Sequence, residues 1–125
     1  MGYRSDVLFA VRAPKKDWQK LRFKLGMVRQ EWFEELIGNL GEFDRFTMDD
    51  QGILIQANQW KWYVGSYTLV DAVEEALKYF LEEAEQHDSI DVIFLRIGED
   101  MGDFQETYAN MGYEIASISR EIILD

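Results

Sequence analysis

The sequence predicts an α+β domain, a single mostly antiparallel sheet of about six strands with helices packed on it. Three observations carry that expectation. Strand-like and helix-like segments follow the order β-α-α-β-β-β-α-β-α-β, the mixture that builds one sheet with attached helices. Residues 59–84 read as a strand, a turn at Gly65 and the cleanest amphipathic helix in the chain. A length of 125 residues, 47% of them apolar, suits one domain over 1–125 with enough chain to bury a core.

The elements can be justified in order. Ser5 to Arg12 reads as the first strand, with Val7, Phe9 and Val11 on one face and Leu8 and Ala10 on the other, so both faces should be buried. Ala13-Pro14 ends it, and Pro14 suits the opening of a helix. Trp18, Leu21 and Leu25, then Val28, Trp32, Leu36 and Leu40, make two successive helical stripes. Gly26 lies between them and predicts two short helices, or one kinked helix, over about 15–25 and 29–40. Phe43 to Met48 is a strand candidate. Asp49-Asp50-Gln51-Gly52 is a hairpin loop in which Gly52 supplies a positive φ. Ile53 to Ala57 follows; Ala57-Asn58-Gln59 is either a second turn before a strand over 60–64 or a bulge in one long strand. Leu69, Val70, Val73, Ala76, Leu77, Phe80, Leu81 and Ala84 share one face of a helix over 69–86. Thr68 would cap it, with Asp71 as capping-box partner. His87-Asp88-Ser89 is a loop, and Asp91 to Ile97 is the most buried-looking strand. An acidic loop over 98–102 leads to a short helix over 104–111 and a terminal strand over 113–124. The central core should include Val7, Phe9, Leu69, Val73, Leu77, Phe80, Ile93 and Leu95.

Composition excludes several classes of chemistry. There is no cysteine, hence no disulfide, thiol nucleophile or thiolate metal site. His87 is the single histidine, so no histidine pair exists to hold a metal. No catalytic residue, metal or cofactor is assigned. No signal peptide is visible, and no apolar run approaches the roughly 20 residues that span a bilayer. A cytoplasmic protein without membrane contact is expected.

The net charge of −11 is unevenly placed. Residues 1–30 carry eight basic and two acidic groups, a net +6, whereas residues 31–125 carry five basic and 22 acidic groups, a net −17. An acidic surface repels nucleic acid at long range, which disfavours that partner except by mimicry of its phosphate backbone. A protein partner is the expectation. Glu74, Glu75, Glu82 and Glu83, with Lys78 among them, lie on the outer side of the long helix and form the candidate partner-binding face. Lys15, Lys16, Lys20 and Lys24 should form a separate basic strip.

A candidate pocket is assigned to Arg4, Trp62, Tyr63, Arg96 and Glu99. Arg96 lies inside the apolar run Val92–Ile97, so its head must reach Glu99, Asp6 or Glu114 as an ion pair, or else mark an anion pocket. Trp60 and Trp62 share one strand face, either packed on the helix or exposed as a platform for a protein or a base. Glu99-Asp100-Met101-Gly102-Asp103 reads as a solvated acidic loop. It offers oxygen ligands but lacks the spacing of an EF-hand.

Two resemblances add to this reading. Met1-Gly2-Tyr3-Arg4-Ser5-Asp6-Val7, Lys61-Trp62-Tyr63 and Arg96-Ile97-Gly98-Glu99, in that order, resemble small phage and prophage proteins. That resemblance implies a viral or mobile-element origin and brings no activity with it. The tail from Gly65 through the long helix and Val92–Ile97 to Tyr108-Ala109-Asn110-Met111-Gly112-Tyr113 is similar in rhythm to the second half of GNAT acetyltransferases. The GNAT loop needs a basic residue and further glycines to hold a pyrophosphate; here it reads Val64-Gly65-Ser66-Tyr67-Thr68.

The function expected is that of a non-enzymatic acidic phage-type protein that occupies a macromolecular partner, such as a component of host defence or host metabolism. The alternatives are a degenerate GNAT-like protein that binds acyl-CoA or transfers its acyl group, and a minor structural protein of the virion.

Overall fold

The computed structural model of the protein describes residues 4–28, 30–63, 65, 67–100 and 102–112. The first strand, β1 (Ser5–Arg12), is apolar on both faces and takes the central place. It pairs with β3 (Gly52–Trp60) on one side and β4 (Asp91–Gly98) on the other. β2 (Arg45–Asp49) lies outside β3, and β5 (Phe104–Ala109) outside β4. The order is β2-β3-β1-β4-β5, and every neighbouring pair is antiparallel. The α+β expectation therefore holds, with five described strands.

Alternating antiparallel neighbours make β1 parallel to β2, and β3 parallel to β4. Parallel strands need a crossover. The first runs through α1 (Lys15–Val28), α2 (Glu31–Gly38) and a 3₁₀ turn over Leu40–Glu42; the second runs through α3 (Thr68–Gln86). Each crossover skips one strand belonging to the other pair. Two interlocked split β-α-β units result, the ferredoxin-like β-α-β-β-α-β plan, with β5 added at the β4 edge.

Strand alternation sorts the side chains. Val7, Phe9 and Val11 face the helices with Ile53, Ile55, Val92 and Phe94, and join Trp18, Leu21, Leu25, Leu36, Val73, Leu77 and Phe80 in the main core. Leu8, Ala10, Ile93 and Leu95 form a smaller buried cluster of their own, with Leu54 against it. Ile93 and Leu95 are thus core residues of the opposite face. Leu69 is only half-buried, and Val70 takes the fully buried place at the start of α3.

Several elements depart from the sequence expectation for identifiable reasons. α1 runs through Gly26 to Val28, and the break falls at Gln30, which is extended (φ −65°, ψ 127°). A helix-interior glycine costs about 1 kcal/mol, less than the burial of Trp18, Leu21 and Leu25 on the same helix returns. The segment over 104–111 is not a helix: residues 104–109 form β5, which satisfies the open edge of β4 from Val92 to Ile97. Residues 60–63 do not form a separate strand, and Val64 of that expected strand lies outside the described residues. β3 ends at Trp60 and carries a bulge: Ser5 and Val7 oppose Trp60 and Ala57, three steps against two, with Gln59 at φ 60°. Thr68 does not cap α3. Tyr67 stands at the cap position without a side-chain bond, and Asp71 Oδ1 instead accepts the Gly65 N–H at 2.6 Å. The expected strand over 113–124 lies outside the described residues. No described helix is long and apolar enough to cross a membrane.

Candidate functional site

α2 and α3 pack beside each other over the sheet. Trp32 of α2 lies 5.6 Å from Tyr79 and 6.4 Å from Phe80, and Leu36 enters the main core. Burying these apolar stripes turns the remaining residues outward. α2 has three acidic residues and no basic one; α3 has six acidic residues and Lys78. Glu31 and Glu34 of α2 and Glu75, Glu82 and Glu85 of α3 are exposed. Among the described residues, none of these five makes an ion pair or a side-chain hydrogen bond. α2 and α3 therefore present acidic outer surfaces on a shared core.

The four glutamates marked out by the sequence divide in two. Glu75 and Glu82 are free in this sense. Glu74 is half-buried and accepts the Trp62 indole N–H at 2.8 Å; Glu83 is half-buried and bridges Lys24 Nζ. Sequence reasoning centred on the long helix does not single out Glu31 and Glu34. Their i, i+3 spacing on the side of α2 away from Leu36 is the signal that finds them.

The basic strip is less separate from this surface than its sequence suggests. Lys24 pairs with Glu83, and Lys15 reaches Asp50 at 3.5 Å. Hydrogen bonding to Glu83, with a smaller contribution from Tyr79, holds the Lys24 ammonium above its ordinary pKa. Burial, then the Glu83 charge, pushes the Tyr79 phenol up; its hydroxyl is buried without a hydrogen-bond partner among the described residues.

Of the pocket residues, Arg4 and Glu99 are brought together, whereas Arg96 borders a different cavity from Arg4. The Arg4 backbone N–H donates to Glu99 Oε1, and Arg4 Nη1 donates to the Gln59 carbonyl, each at 2.8 Å. Arg96 turns to Asp103 rather than to Glu99 or Asp6, with Nη2 2.9 Å from Oδ1 and Nη1 3.3 Å from Oδ2; the third expected partner, Glu114, lies outside the described residues. The β4–β5 loop brings Asp103 there, since the Gly98 N–H donates to its carbonyl at 2.8 Å. Ser5 Oγ accepts from Arg96 at 3.2 Å. Asp6 accepts from Gln59 N at 2.8 Å and fastens the bulge.

Trp62 packs 6.3 Å from Phe94, and Trp60 stacks on Phe43 at 5.0 Å with its N–H on Asp44 Oδ2. Both tryptophans are half-buried packing residues, and Tyr63 is exposed. A cavity of about 490 Å³, partly lined by Leu8, Leu95, Ile97 and Phe104, lies on the sheet face of the smaller cluster. Arg96 and Asp6 border it but are engaged as described.

An anionic cofactor at the start of α3 would meet the Asp71 carboxylate, which already holds the Gly65 N–H. β1 also separates the two strands that flank α3. No group of three or more metal-ligating side chains converges among the described residues. No family model, curated protein or solved structure matches the chain.

Proposed function

We propose that the protein is a non-enzymatic binding protein that engages a basic surface of a macromolecular partner through the outer face of α2 and α3. One observation carries this reading. Glu31, Glu34, Glu75, Glu82 and Glu85 are exposed, of one sign and without a described counter-ion, on two helices fixed by a shared core. Glu31 with Glu34, and Glu82 with Glu85, are like charges one turn apart and oppose each other by a few tenths of a kcal/mol per pair, which a basic partner removes; the exposed Lys78 stands one turn from Glu75 and from Glu82 and offsets part of the charge there. Complementary charge also speeds encounter. The resemblance to phage proteins makes a host component, of defence or of metabolism, the partner class to seek.

Affinity capture from host-cell extract tests the reading with immobilised wild type and a Glu31→Lys, Glu34→Lys, Glu75→Lys, Glu82→Lys variant. The expected result is a basic protein retained near physiological salt, released at about 0.5 M salt, and not retained by the variant. Retention that survives both salt and charge reversal but is lost in Arg96→Ala would overturn it.

A further inference from the structure

We infer that the outer strip of α1 is a second docking surface, one that takes an acidic amphipathic helical segment of a partner protein. α1 carries five basic residues and one acidic residue in a chain of net charge −11. Trp18, Leu21 and Leu25 bury its inner side. On the outer side Lys16, Lys20, Phe23 and Met27 follow at i, i+4, i+7 and i+11, one continuous line along the helix.

Phe23 is 72% and Met27 71% exposed, the most open large apolar side chains among the described residues. Lys16, Lys20 and Arg22 make no ion pair or side-chain hydrogen bond among the described residues. Lys16, Gln19, Lys20 and Phe23 border a shallow groove of about 430 Å³.

Charge complementarity selects the occupant. The lysines call for carboxylates, and the Phe23–Met27 end calls for an apolar side chain, to which a flexible methionine can adapt. A helix with carboxylates one turn from an apolar stripe meets both demands at matching spacing. An anionic membrane offers related chemistry, but its flat charged surface would also face the acidic remainder of the molecule. Nucleic acid meets the same repulsion. One helix need touch only the strip. The strip is basic and lies on a different helix from the acidic face, so it does not depend on that reading.

Panning a library of random peptides of roughly 16 residues, about four helical turns, against the full chain provides the test. The expected result is enrichment of peptides that combine Asp or Glu with Leu, Phe or Trp at helical spacing. Their affinity should fall about tenfold or more both in Lys16→Glu/Lys20→Glu and in Phe23→Ser, a change read directly as the ratio of dissociation constants. Circular dichroism confirms that each variant is folded. Phosphatidylglycerol vesicles and a single-stranded oligonucleotide are titrated in parallel. Absence of acidic–apolar enrichment, equal binding by all variants, or strip-dependent binding of vesicles or oligonucleotide without peptide binding would overturn the proposal.

Discussion

Asn110 adopts a left-handed backbone (φ 53°), and its side-chain amide donates to the carbonyls of Ala84 at 3.2 Å, His87 at 3.1 Å and Ile90 at 2.6 Å. One side chain thereby ties the end of β5 to the connection between α3 and β4. Asn110→Ala loses the donor and strains the backbone, so urea unfolding should show a loss of about 2–3 kcal/mol. Asn110→Gly keeps the conformation and should lose less. The sequence gives no sign of this role, because the acceptors lie 20 to 26 residues away. Gly52 is the contrasting case: its place after Asp49-Asp50-Gln51 announces the turn, and a side chain there would meet the Val11 carbonyl at 1.9 Å. Tyr79 supplies a pH test. Its phenol and the Lys24 ammonium both have raised pKa values in the fold. A raised value contributes stability that is full below the unfolded pKa and lost as pH rises through the folded one, so stability should fall above about pH 10. Tyr79→Phe removes a buried hydroxyl without a described partner. Thermal melts should show an unchanged or higher midpoint at pH 7 and a shallower loss in alkali.

At the scale of elements, what was readable depended on how locally each was determined. β1 matches its expected span because a short apolar run between Ser5 and Arg12 suffices to define it. α3 matches within one residue at its start because its apolar stripe repeats over five turns. β5 is not readable from its own residues: 104–109 mix helix formers (Gln105, Glu106, Ala109) with strand formers (Phe104, Thr107, Tyr108), and pairing along the edge of β4 decides for a strand. The bulge in β3 was open between two readings for the same reason, since Asp6 and Asp44 hold it from other parts of the chain. The assignment of the α3 face is itself testable. Val73 is fully buried between that helix and the sheet. Val73→Asp places an unpaired carboxylate there and should abolish the cooperative thermal transition. A soluble variant with a sharp transition would mean that another face of α3 is buried.

Across the whole molecule, the interlocked β-α-β units put every described helix in the main core with one face of the sheet, and charge is distributed over that layer unequally. The sequence revealed the acidic excess and two of the five exposed glutamates, Glu75 and Glu82. It could not show that Glu74 and Glu83 are committed to Trp62 and Lys24, or that α2 adds Glu31 and Glu34, since both facts depend on tertiary packing. The proposed pocket is likewise met only in part: Arg4 and Glu99 are in contact, but Arg96 is taken by Asp103, a contact that only the β4–β5 hairpin creates. The central claim is that a partner is recognised by the charge of this layer. The most direct test is the association rate of the captured partner with wild type and with the Glu31, Glu34, Glu75 and Glu82 reversal, measured across ionic strength. Charge recognition predicts that the wild-type rate falls tenfold or more between about 0.05 M and 0.5 M salt, and that the reversal variant is slow throughout while remaining folded. A rate that ignores salt and reversal, with binding abolished instead by Arg96→Ala or Glu99→Ala alone, would contradict the claim.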